Sequence, residues 1–310
     1  MTPGSDGFDP EIKVVLDGML AVGGPPAHEV PIDQMRSGHE KETELFSGPG
    51  EAVAEVSDIT VPGPAGDIPA RVFRPDRDGP LPVVAYFHGG GWVVGSVESF
   101  DLVCRALANA SGAIVVSVGY RLAPEHPYPA ALEDCVAVTR WLAGQAGELG
   151  GDPARLAVAG DSAGGNLALG VARHLRDTVR FQALIYPVCD AGFDTPSYSE
   201  FAERHGLTSL GMQRFWSLYL DGADPGDPDA SPLRASDLGG VAPAFVLTAE
   251  YDVLRDEGEA MVEALRAAGV EVTHRRYDGT VHGFWRWLAK ARITHDAVSE
   301  VGEALGRELR

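Results

Sequence analysis

Short apolar runs alternating with amphipathic stretches predict an α/β fold, with a mostly parallel eight-stranded sheet flanked by helices. Two further observations support this class. The chain has 310 residues, enough to bury a large core, and its 45% hydrophobic and 23% charged residues are ordinary for a globular protein. The alternation begins only near Val53, so the first 50 residues stand apart from the rest of the chain.

The first element is a helix. Asp9 is a suitable cap and Pro10 suits the first helical position. Ile12, Val15, Leu16, Met19 and Leu20 then share one face. Gly23, Gly24, Pro25 and Pro26 end it. A second helix is expected from Pro31 to about Leu45, with Ile32 and Met35 on its apolar side. Strands are expected at 53–60, 69–74, 82–87, 113–118, 155–159, 181–186, 244–249 and 271–277. Helices fill 98–110, 129–146, 163–174, 209–220, 256–268 and 293–309. The turn-rich VPGPAGD between the first two strands suits an antiparallel edge. Residues 188–242, rich in Pro, Gly and Asp, interrupt the alternation as an insertion carrying one helix.

The formal net charge is −20, which repels nucleic acid and anionic membrane and suits a small neutral substrate. Cys104, Cys135 and Cys189 are far apart and form no CxxC pair, so buried free thiols are expected rather than disulfides or a zinc site. The first residues lack the pattern of a signal peptide, and no apolar run approaches the roughly 20 residues of a membrane span. A cytoplasmic protein is expected.

The chemistry is written in two glycine-rich turns. In RLAVAGDSAGG (155–165) a strand runs through Gly160-Asp161-Ser162-Ala163-Gly164 into a helix. A nucleophile on so sharp a turn tolerates only small residues two positions before and after it. The turn lifts the serine oxygen clear of the sheet and aims the helix N-terminus, with the Ala163 amide, at the reacting centre. In VVAYFHGGGW (83–92), Gly89, Gly90 and Gly91 follow another strand, and bare backbone there can bring N–H donors to a tetrahedral oxyanion. Chance supplies about 0.24 copies of the first pattern but about 0.016 of the HGGG tetrapeptide, so the glycine run is the sharper signal. His88 beside it is expected to organise the loop. GDSAGG is not the GDSGG of trypsin-like proteases, whose serine follows His and Asp on β-barrels.

The base and its orienter are sought at later strand ends. His282 lies in the loop past the last strand, whereas His274 sits within that strand and His205 in the insertion. Asp252 sits at the tip of strand 244–249. Asp256 begins the next helix and is expected to cap it, and Glu250 and Glu257 are weaker candidates. Ser162 would attack, His282 would move the proton, and Asp252 would orient the imidazole.

With these motifs the sequence resembles the bacterial hormone-sensitive-lipase family of esterases, on the α/β-hydrolase fold, in the branch with GDSAG at the nucleophile. The matching segments are HGGGWVVGS (88–96), YRLAPEHPYPAALED (120–134), DPARLAVAGDSAGGNLA (152–168), DVLRDEG (252–258) and VHGF (281–284). The resemblance implies a helical cap built from residues 1–50 and 190–235, over a core formed by 51–189 and 236–310. It implies oxyanion donors at Gly90, Gly91 and Ala163, with Gly89 in the same loop. It implies carboxylesterase activity on neutral esters with short to medium acyl chains, no metal or organic cofactor, and a monomer or homodimer.

Trp92, Phe193, Tyr198, Phe215 and Trp216 are candidates to line an acyl pocket. The triad equally suits an amidase, a lactonase or a carbamate hydrolase on the same fold. A non-catalytic small-molecule binding protein is a further reading, and the presence of His282 argues against it. Fold relatives with an aspartate nucleophile are disfavoured by Ser162.

Overall fold

All eight strands join one sheet, in the order β1-β2-β4-β3-β5-β6-β7-β8. The computed structural model describes residues 7–310 except 24, 27 and 47. The expected helix-breaker Gly24 and the first six residues of the cap segment therefore lie outside the described residues.

The strands are β1 (Glu55–Gly63), β2 (Gly66–Arg74), β3 (Leu81–Phe87), β4 (Ile114–Val118), β5 (Gly151–Asp161), β6 (Phe181–Ile185), β7 (Ala244–Tyr251) and β8 (Val272–Val281). Only β2 runs against its neighbours, pairing antiparallel with both β1 and β4. The remaining pairs are parallel. Every residue of β3, β4 and β6 is buried, which is why those strands read as unbroken apolar runs.

Helices α1 (Pro10–Val22) and α2 (Ile32–Phe46) precede the sheet. Helices α3 (Asp101–Ser111), α4 (Ala130–Gln145), α5 (Ala163–His174), α8 (Arg255–Ala267) and α9 (Arg292–Glu308) cover its faces. The insertion holds α6 (Pro196–Glu200) and α7 (Ser209–Leu220). Asp9 caps α1 by accepting from the Glu11 and Ile12 amides. On α1, Ile12 and Leu16 are buried, Val15 and Met19 pack partly, and Leu20 stays exposed. In α2 no residue is fully buried, although Ile32 and Met35 pack against the core.

One expected cap is corrected. Position Leu254 precedes α8 without a side-chain cap. Asp256 instead accepts from the Ser197 amide at 2.8 Å and from Arg255 Nε at 2.9 Å, tying α8 to the insertion. Cys104, Cys135 and Cys189 are buried free thiols.

Candidate active site

The carboxyl ends of β3, β5, β7 and β8 meet at one side of the sheet, and each delivers part of the site. At the end of β5, Ser162 adopts φ 56° and ψ −119°, in the left-handed half of backbone space that bulky residues avoid. Its amide donates to the Ile185 carbonyl oxygen at 2.8 Å, which holds the turn. The flanking glycines are required by contact. A Cβ on Gly160 would collide with the Gly164 carbonyl, and one on Gly164 with the Phe87 carbonyl at the end of β3.

His282 follows β8, and Asp252 follows β7. The Asp252 carboxylate lies 2.7 Å from His282 Nδ1. A carboxylate can only accept, so the ring proton belongs on Nδ1, and Nε2 is left to accept from the Ser162 hydroxyl at 2.9 Å. Asp252 is buried, and its second oxygen accepts from the Leu254 amide at 2.9 Å, which fixes the carboxylate plane. The arrangement joins a hydroxyl, a base and an orienting anion in one line, as proton removal from a serine demands.

The glycine run passes the same point. Gly90 has φ 119°, open only to glycine, and its carbonyl accepts from the Val93 and Val94 amides, turning the loop back on itself. Among the described residues the amides of Gly90 and Gly91 donate to no protein group. Ala163 opens α5, where the amide has no acceptor within the helix. Gly89 is different. Its amide donates to Asp161 Oδ1 at 2.9 Å, so it is not free for an oxyanion.

That bond exposes a residue which pattern reading passes over. Asp161 fills the variable position of the serine turn, yet it is buried at the centre of a network. Oδ1 also accepts from the Tyr86 hydroxyl at 2.7 Å, and Oδ2 from the Tyr186 hydroxyl at 3.4 Å. Tyr86 in turn accepts from Trp285 Nε1 at 3.0 Å. Burial pushes the Asp161 carboxyl up to about 6, against the pull of its Tyr86 and Gly89 donors. Tyr186 packs against the His282 ring at 4.5 Å. No sequence signal marks Asp161 beyond its place beside the serine.

His88 does not reach the serine and organises the loop instead. Its ring is buried, stacks on Tyr120 at 4.3 Å, and has Nδ1 2.8 Å from the Gly89 carbonyl. Burial drives its pKa down to about 4, so the ring is neutral.

A cavity of about 230 Å³ opens over Ser162 and His282, lined also by Met19 of α1, His39 and Glu42 of α2, Met212 and Phe215 of α7, and Arg286. Of the five expected aromatics it takes Phe215 alone. Trp92 and Trp216 are core residues. Trp92 stacks on Tyr219 at 4.0 Å and contacts Trp216 at 4.9 Å. Phe193 and Tyr198 pack edge-to-face on each other, away from the cavity lining. Trp92 thus packs on two rings of α7 rather than facing the cavity. Among the described residues no three His, Cys, Asp or Glu side chains converge as a metal site, and no helix is long and apolar enough to cross a membrane.

A family model described as alpha/beta hydrolase fold matches residues 84–286, from β3 to Arg286. The chain belongs to this family. It is 44% identical over 253 residues to carboxylesterase NlhH of Mycobacterium tuberculosis, covering 78% of this chain and 79% of that protein. It is 37% identical over 294 residues to ethyl acetate hydrolase of Pseudomonas putida, covering 92% of each. A crystal structure of a thermostable esterase from Pseudomonas putida superposes with a TM-score of 0.95 at 38% identity, covering 99% of both chains. The resemblance to esterases read from the motifs thus extends over nearly the whole fold. The chain is an enzyme, a serine hydrolase acting on esters.

Proposed function

We propose that the enzyme is a carboxylesterase for small esters with short to medium acyl chains, working through Ser162, His282 and Asp252. The observation that carries the proposal is the continuous hydrogen-bonded line from Ser162 Oγ through the imidazole to the Asp252 carboxylate. Ser162 Oγ attacks the acyl carbon while its proton passes to His282 Nε2. The oxyanion is held by the amides of Gly90, Gly91 and Ala163. Collapse breaks the bond to the alcohol oxygen, which takes the proton from His282. Water then attacks the acyl-enzyme, gives a proton to His282, and releases the acid with Ser162 restored.

The cavity of about 230 Å³ supports a small substrate, since ligand sites commonly span about 300–1,000 Å³. The described residues of 7–50 and those of 190–235 act as a cap, because α1, α2 and α7 supply the side chains that roof the cavity. Three buried free thiols fit a reducing, cytoplasmic setting.

The test is hydrolysis of p-nitrophenyl esters from two to sixteen acyl carbons by wild type and Ser162→Ala. The wild type should prefer short and medium chains, and the variant should lose at least about a thousandfold in kcat. Retention of most activity by Ser162→Ala would overturn the assignment. Turnover of anilides as fast as esters would favour an amidase.

A further inference from the structure

The cavity over Ser162 has a polar end that the hydrolytic steps do not use. His39 and Glu42 reach it from adjacent turns of α2, and Arg286 from the short turn Phe284–Arg286 after His282. Arg286 lies over the Phe100 ring at 5.3 Å, and its Nη2 donates to the Thr43 hydroxyl and, at 3.4 Å, to the His39 carbonyl. These contacts use one nitrogen of three. Among the described residues Nη1 makes no hydrogen bond, Nε is buried without a partner, and no ion pair forms within 4.0 Å. Its burial is enough to pull the guanidinium below its ordinary range.

Its neighbours also lack partners, Glu42 half-buried and His39 through a buried ring nitrogen. Glu42 accepts no hydrogen bond among the described residues, and burial pushes its carboxyl up. His39 Nδ1 is buried and unpartnered, and desolvation holds that ring well below its ordinary pKa and so uncharged. Buried polar groups left without partners cost free energy, and a buried charge costs more. The Arg286 Nη1 and the Glu42 carboxylate, both without a hydrogen bond among the described residues and both at the cavity wall, are the groups to which a ligand could supply the missing partners.

The charges decide what kind. Arg286 and Glu42 are opposite in sign, so this end of the cavity is dipolar rather than positive. A carboxylate would gain from Arg286 but be opposed by Glu42, by Glu40 and Asp161 nearby, and by a net charge of −20. A cation would meet Arg286. A neutral group that both accepts and donates is suited to both partners. In so small a cavity a hydroxyl does this with one oxygen, accepting from Arg286 and donating to Glu42. Resting on the ester-hydrolase reading above, we propose that Arg286, Glu42 and His39 form a hydroxyl-binding subsite, so that the preferred substrate is a small neutral ester bearing a hydroxyl on the part that reaches α2.

The experiment compares matched esters by pH-stat: glycerol monobutyrate against propyl butyrate for the alcohol side, and methyl 3-hydroxybutyrate against methyl butyrate for the acyl side. In one pair the wild type should favour the hydroxylated member by at least about tenfold in kcat/KM, mostly through KM. That ratio should fall towards one in both Arg286→Met and Glu42→Leu. Because Arg286 also ties down α2, Glu42→Leu decides the matter if Arg286→Met fails to fold. Ratios within about twofold of one for both pairs in the wild type, or a ratio that survives both substitutions, would overturn the subsite. So would a stronger preference for monopropyl succinate, which would make the site one for anions. If folded wild type cleaves none of these esters, the ester-hydrolase reading itself fails and the subsite falls with it.

Discussion

Asp161→Asn is the substitution that asks most of the structure. The carboxylate accepts from the Gly89 amide, the Tyr86 hydroxyl and the Tyr186 hydroxyl, and so ties the serine turn to the loop carrying Gly90 and Gly91. Asparagine keeps the shape and removes the charge. Its oxygen can still face Gly89 and Tyr86, and its NH2 can donate to the Tyr186 oxygen, so the pocket stays filled. Two charge-assisted bonds become neutral ones, a weakening of about 1–2 kcal/mol. Burial raises the carboxyl to about 6 even with these donors counted, so at pH 8 its ionised form carries a net cost of roughly 3 kcal/mol, which asparagine relieves. Stability at pH 8 should therefore hold or rise, while the glycine loop is held less firmly. Losing one oxyanion donor outright costs about 10²–10³ in kcat, so a loosened pair should cost about tenfold to a hundredfold. The assay is kcat and KM on p-nitrophenyl butyrate at pH 8, with a thermal scan on the same sample. A variant with wild-type stability and kcat within about twofold of wild type would refute the idea that Asp161 positions the loop.

Other substitutions test other parts of the site. Asp252→Asn should lower kcat by about 10³–10⁴ with little change in KM, because an amide that donates to Nδ1 imposes the wrong tautomer; single-turnover kinetics would read it. Phe215→Ala should enlarge the cavity beside Gly91 and move the preferred p-nitrophenyl ester to a longer chain, and an unchanged optimum would remove Phe215 from the pocket. Glu257 makes a pH prediction. Burial pushes its carboxyl up to about 8, although the Cys189 amide donates to it at 2.7 Å. Between its ordinary value and 8 the folded state holds a proton that the unfolded chain has lost, so this stabilisation is complete at low pH and disappears as pH rises through 8. Urea melts at pH 6 and pH 8 should show it as up to about 1.4 kcal/mol per pH unit, and Glu257→Gln should remove that slope.

Much of this architecture was legible in the residues. Strands buried on both faces announce themselves as apolar runs, and the serine turn and the glycine loop must be small because backbone passes within contact distance of them. Chain order and strand ends led to His282 and Asp252, which the structure brings to Ser162. Less legible was everything that depends on partners distant in sequence. Strand β5 begins at Gly151, four residues earlier than expected, because its first residues pair with the start of β3 rather than bury apolar side chains. Asp256 looked like a helix cap but is claimed by Ser197, 59 residues away. Trp92 and Trp216 looked like pocket residues, but aromatic character alone does not say which ring stacks inside the core. Asp161 and Arg286 carry no local pattern; only their burial beside the serine singles them out.

The roof of the cavity is fastened by two different kinds of chemistry. On one side α7 is held by the Trp92–Tyr219 stack and by the Tyr128 amide donating to the Tyr219 carbonyl at 2.7 Å. On the other, α2 buries no residue completely; beside its ties to Arg286, Arg36 anchors it through the Val93 and Ala123 carbonyls and a paired contact with exposed Glu125, whose pKa it pulls down to about 2. Dissolved salt screens exposed charges and leaves stacked rings alone. Ionic strength therefore acts on the Arg36–Glu125 pair of the α2 side and on nothing comparable in the aromatic stack of the α7 side.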